Sequence, residues 1–120
     1  DRAARGPLGE DEGGDWVAEH QGRVRAAWGE AMEALARLYA VREAPAEAAA
    51  VLEALVALEP LREGAHRALM ACYAAAGEPA RALAHHGALA ALLGRELGAA
   101  PARETRALVD AIRRSSAAAA

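Results

Sequence analysis

The chain has 120 residues, 54% of them hydrophobic but only 3% aromatic, with no Phe, so one modest domain must build its core from Ala and Leu. A net charge of −3 and a pI near 5.8 argue against a surface that grips nucleic acid unaided. The single cysteine, Cys72, excludes an internal disulfide and fits a reducing cytoplasm.

Residues 1–14, DRAARGPLGEDEGG, are rich in Gly and charge and read as a linker or flexible arm. Asp15 is placed to cap a long helix that opens at Trp16. Along it Val24, Trp28, Ala31, Leu35 and Leu38 recur in alternating steps of four and three, which is one helical face. Glu33 and Arg37 have the spacing of a helical ion pair. The helix is expected to stop near Glu43, because a residue ahead of a proline such as Pro45 leaves the helical region, while proline suits the first turn of the next helix.

The same punctuation gives a second helix over residues 45–58 and a third from Pro60 to about Ala76, with Gly77 just past its end. A fourth follows from Pro79 to about Leu97, and a fifth from Pro101 to about Arg114. Residues 115–120, SSAAAA, read as a flexible tail. No stretch is rich in β-branched residues, so no strand is expected. The fold class is all-α, with about five helices in antiparallel hairpins, since the connections are short.

The chain also repeats. A shift of 34 residues lays Leu35 on Leu69, Tyr39 on Tyr73, Pro45 on Pro79, Ala48 on Ala82 and Leu55 on Leu89. That period is the helix–turn–helix unit of tetratricopeptide repeats. In this register Leu69 and Tyr73 are packing residues, and Cys72, aligned with Leu38, is a small buried apolar group.

The second half carries a more specific pattern. Glu59-Pro60-Leu61-Arg62-Glu63-Gly64-Ala65-His66-Arg67-Ala68-Leu69-Met70 is followed by a turn from Ala76-Gly77 to Ala82-Leu83. Then come Glu96-Leu97-Gly98, Pro101, Glu104-Thr105 and Leu108. In this order and spacing residues 15–114 resemble the bacterial transcriptional activator domain, the tetratricopeptide-like helical module of antibiotic-regulatory-protein-type activators. In that family the fourth helix usually carries a Tyr where His86 stands, so His86 is expected to fill that slot and His85 to face solvent. Gly87 and Gly94 fall within the same helix and are expected to soften or bend it.

The resemblance implies the regulatory part of a transcription regulator. It would work in the cytoplasm through protein contacts: with itself as a homodimer, with neighbouring domains, or with the transcription machinery. DNA would be bound only by a winged helix-turn-helix domain, of which residues 1–14 are too short and too acidic to be part. The opening at Asp1 rather than Met fits a fragment or a processed product. The alternative is a stand-alone tetratricopeptide-type adaptor that holds a peptide or partner protein.

Catalytic chemistry finds no foothold. The only serines are Ser115 and Ser116, no Gly-rich phosphate loop follows a strand, and His85 and His86 are adjacent rather than at ligand spacing. No cofactor or metal is expected, and no apolar run reaches membrane-spanning length. The repeat register instead places Glu30, Glu33 and Arg37 of the first helix, with Arg67 and Ala71 of the third, on one concave face that could hold a partner. The plainer reading of these charges is an ordinary solvated helix face.

Overall fold

The computed structural model describes residues 10–119, with side chains from Asp15 onward. Five α-helices follow one another: α1 Glu10–Val41, α2 Pro45–Leu58, α3 Glu63–Ala75, α4 Pro79–Leu97 and α5 Arg103–Ala119. No strand occurs among the described residues. The chain falls into two compact units, one ending at Ala31 and one beginning at Met32.

In the first unit α1 runs as a single helix, with Trp16 stacked on His20 at 5.3 Å between ring centroids. The helix starts before the expected cap. Asp15 lies inside it. The expected arm therefore yields residues 10–14 to α1, and residues 1–9 lie outside the described part. Val24 and Trp28, read from their spacing as part of an apolar face, are exposed.

The second unit packs α2 on α3, α3 on α4, and α5 against both α4 and α3. Its core joins Leu52 and Leu55 of α2, Leu69, Met70 and Tyr73 of α3, Ala82 of α4, and Val109 and Ile112 of α5. From α1 it takes Ala36, with Met32 and Tyr39 packed partly against it. Leu35 and Leu38 are exposed, so the continuation of the expected apolar face is not the core face. Periodicity identifies a stripe, but burial follows the neighbouring one, Ala36 with Met32 and Tyr39 beside it.

The turns are short, and those after α1, α3 and α4 each carry a residue at positive φ. Beyond α3 the N–H of Glu78 returns to the Tyr73 carbonyl at 2.9 Å and that of Gly77 to Ala74 at 3.0 Å, with Gly77 at φ 81°. This is a Schellman end. Thirty-four positions earlier, Ala44 returns to Tyr39 at 2.9 Å and Glu43 to Ala40 at 3.0 Å, with Glu43 at φ 58°. At the end of α4, Gly98 at φ 61° lets the Ala99 N–H reach the Leu93 carbonyl. The repeat thus extends to backbone geometry, with glutamate standing once where glycine is preferred.

Pro45 and Pro79 open α2 and α4 as their position in the chain predicts. Pro60 and Pro101 do not open helices. Pro60 sits in a turn closed by the Arg62 N–H on the Glu59 carbonyl at 3.1 Å, and α3 begins at Glu63. The start of α5 is set by tertiary contact. The Glu63 carboxylate accepts the Ala102 N–H at 2.7 Å and also the Thr105 hydroxyl, so α5 begins at Arg103. At its far end α5 runs to Ala119, and residues 115–119, expected as a flexible tail, continue the helix. Their alanines are the best helix formers. Despite Gly87 and Gly94, α4 is one unbroken helix.

Candidate partner-binding groove

The last turns of α1 run beside α3 without filling the space between them. Ala36 and Ala40 of α1 face Gly64, Ala68, Ala71 and Ala75 of α3. Residues this small leave an open groove of about 830 Å³, floored by Leu52 and Cys72. A volume of that size lies at the upper end of the range for ligand pockets, about 300–1,000 Å³.

Charge is distributed unevenly along it. Glu33 and Arg67 line the groove near the start of α3, Arg37 lines it too, and Glu43 lines it where α1 ends. Glu33 is neutralised by Arg62, whose Nε donates to it at 2.7 Å, rather than by Arg37 four residues on. Arg67 donates to the Thr105 hydroxyl at 3.3 Å. Burial opposes the charge on the neighbouring Glu63. Hydrogen bonds from Thr105 and Ala102 and the nearby Arg67 outweigh it and hold that carboxyl below its ordinary value. Arg67 of the groove lining is therefore fixed to the start of α5.

Four of the five residues picked from the register, Glu33, Arg37, Arg67 and Ala71, line this groove. Glu30 is exposed on the N-terminal unit and belongs to a different compact body. The register missed the apolar part of the lining. A signal for it was present on α3, where Gly64, Ala68, Ala71 and Ala75 recur in steps of four, three and four. Such a stripe of small residues is hard to separate from the alanine that fills the whole chain.

Two further residues read from sequence have settled positions. Cys72 is buried at the groove floor, and burial pushes its thiol up from the ordinary value, so it stays protonated at neutral pH as an inert apolar group. His85 does not face solvent. It is half-buried, with its Nε2 2.8 Å from Nδ1 of His66. His86 is half-buried beside it, with its Nε2 shielded from solvent. Among the described residues no three of His, Cys, Asp or Glu cluster as metal ligands, and no helix is long and apolar enough to cross a membrane.

No curated protein and no solved structure matches the chain. The family model described as the bacterial transcriptional activator domain does match, over residues 4–113. That span takes in the repeat, all four turns and the Glu63–Thr105 anchor. The chain belongs to the bacterial transcriptional activator domain family, a regulatory rather than an enzymatic family.

Proposed function

We propose that this domain is the protein-interaction part of a bacterial transcriptional regulator and that it holds a segment of another protein, or of a neighbouring domain, in the groove between α1 and α3. The observation that carries the reading is the groove itself: Leu52 and Cys72 at its floor, walls of small apolar side chains, and Arg37, Arg67 and Glu43 among its lining. Large apolar side chains of a partner would fill the space that alanine leaves, and the charges would orient it. DNA contact belongs to a separate domain. The net charge of −3 and the mixed signs in the groove support that division. Family membership favours this reading over a stand-alone adaptor, and the domain works by binding, in the cytoplasm, without catalysis.

The test is to fill the groove. Ala68→Trp and Ala71→Trp place bulk at positions that are not fully buried. The expected result is unchanged helicity by circular dichroism with loss of reporter transcription driven by the regulator that carries this domain. Full activation by both filled variants overturns the proposal.

Self-association is a second reading with its own observation, the exposure of Leu35, Leu38 and Val41 on α1. It predicts a concentration-dependent dimer by sedimentation that Leu38→Glu abolishes. A monomer at all concentrations rejects it.

A further inference from the structure

Away from the groove, α3 and α4 share a polar cluster that the interaction reading does not use. The His66 ring is only 5% exposed. Its Nε2 lies 2.7 Å from the Pro60 carbonyl oxygen, and its Nδ1 lies 2.8 Å from Nε2 of His85. A carbonyl oxygen only accepts, so Nε2 of His66 must carry the proton. Nδ1 of neutral His66 is then an acceptor, and Nε2–H of His85 must donate to it. One backbone oxygen therefore fixes the tautomers of both rings.

We infer that His66 and His85 form a proton-operated latch that ties α3 to α4 and to the α2–α3 turn, and that opens when both rings are protonated. A single proton is carried with the bond intact when it sits on Nδ1 of His85. The Nε2–H of that ring still donates, and the bond becomes charge-assisted. A second proton has only Nδ1 of His66 to occupy. Two N–H groups and two positive charges then face each other where one lone pair stood. The ring contact, with centroids 5.0 Å apart, is lost with that bond.

The charged surroundings come from every element packed around the pair. Glu53 of α2 accepts the Tyr73 hydroxyl at 2.7 Å and Arg81 at 3.2 Å. Glu59 and Arg62 lie at the turn, Glu63 and Tyr73 on α3, and Glu78 and Arg81 at the start of α4. Burial first, and the neighbouring His66 second, push His85 below the ordinary histidine value, against the pull of Glu53. A lowered folded value means the contribution to stability is complete above about pH 6.5, the unfolded value, and is lost as the pH falls through the folded one.

Nitrogen NMR of the histidine rings in the unaltered protein tests the latch directly. At about pH 7.5 the expected tautomer of His66 is protonated at Nε2 and bare at Nδ1. A His66 protonated at Nδ1 overturns the inference. On acidification the two rings should titrate in separate steps, with amide exchange in α3 and α4 rising at the second. Independent titration, or exchange that ignores it, also overturns it. A variant adds a thermodynamic check, since the amide of His85→Gln donates to Nδ1 without gaining charge. Between about pH 7.5 and 5, urea titrations should show the folded-to-unfolded ratio of the unaltered protein falling further than that of H85Q. Parallel losses in the two proteins refute the latch.

Discussion

Glu43 offers the most direct test of the repeat as a physical object. It sits at φ 58°, in a Schellman end that its counterpart Gly77 makes at φ 81°. A left-handed conformation costs a residue with a Cβ roughly 1–2 kcal/mol. Glu43→Gly removes that cost and adds about 0.4–1 kcal/mol of unfolded-chain entropy, which leaves a net gain of about 0.5–1 kcal/mol. For a domain of this size that corresponds to a rise in Tm of about 2–6 °C. Gly77→Ala is the mirror experiment. A Cβ at Gly77 meets no heavy atom within 4 Å, so its cost is conformational alone. It should destabilise by about 0.5–1 kcal/mol, the same net figure with its sign reversed. Glu43→Ala separates charge from backbone, because it removes the carboxylate and keeps the strain, and should be close to neutral. Thermal melts and urea titrations of the three variants suffice. If E43G is neutral or destabilising while G77A costs as expected, the two turns are not energetic equivalents and the backbone repeat is superficial.

The other predictions concern contacts that cross between helices. Gly87 and Gly94 sit mid-helix in α4 with open space where a Cβ would go, so each change to alanine should add about 1 kcal/mol by urea titration, and the two should nearly sum. Tyr73→Phe removes the hydroxyl bond to Glu53, which keeps Arg81, and should cost about 1 kcal/mol. Burial and then that carboxylate push the Tyr73 hydroxyl up to about 12 from 10.0. Its contribution is therefore complete below the unfolded value and lost as the pH rises towards the folded one, which alkaline melts of unaltered protein and Y73F will show as a difference. Thr105→Val removes a donor from Glu63 and loosens the start of α5; urea titration should show a loss of about 1–2 kcal/mol. Glu63 itself is held low, so that anchor is complete above about pH 4.3 and fails as the pH falls through its folded value.

Much of the helix order was legible because proline and glycine act locally. Pro45, Pro79, Gly77 and Gly98 each set a helix boundary by their own backbone preferences, and no partner is needed for that. The boundaries misplaced from sequence are those decided elsewhere. Pro60 was drawn into a turn, and α5 waits for Glu63, 39 residues before Ala102, to accept an N–H. A local rule has no access to that carboxylate. The site was legible to the same degree. The charged lining followed from the 34-residue register, since repeat units fix which helix faces recur. The alanine walls did not, because in a chain so rich in alanine a stripe of small residues carries little contrast.

The α1 helix shows why periodicity stopped short of burial. Residues Leu35 and Leu38 continue an apolar stripe, yet Leu38 is 56% exposed while Ala36, one position off the stripe, is 4% exposed. A helix face is buried only if a neighbour arrives, and which face that is depends on how the next hairpin stacks. Ala36 and Ala40 of α1 line the groove and Met32 and Tyr39 pack partly on the core, while Leu35 and Leu38 are left outward. If bulk had been placed inward instead, at Ala36 and Ala40, the side chains would occupy the space now open against Ala68, Ala71 and Ala75. The groove therefore exists because alanine, not leucine, faces α3 on both walls. Ala40→Leu should accordingly be tolerated by the fold, as Ala40 is exposed, and should shrink the groove from within its own wall. A variant that melts like the unaltered protein but has lost regulation would tie the function to that empty space. One that regulates normally would place the interaction on the outward leucines instead.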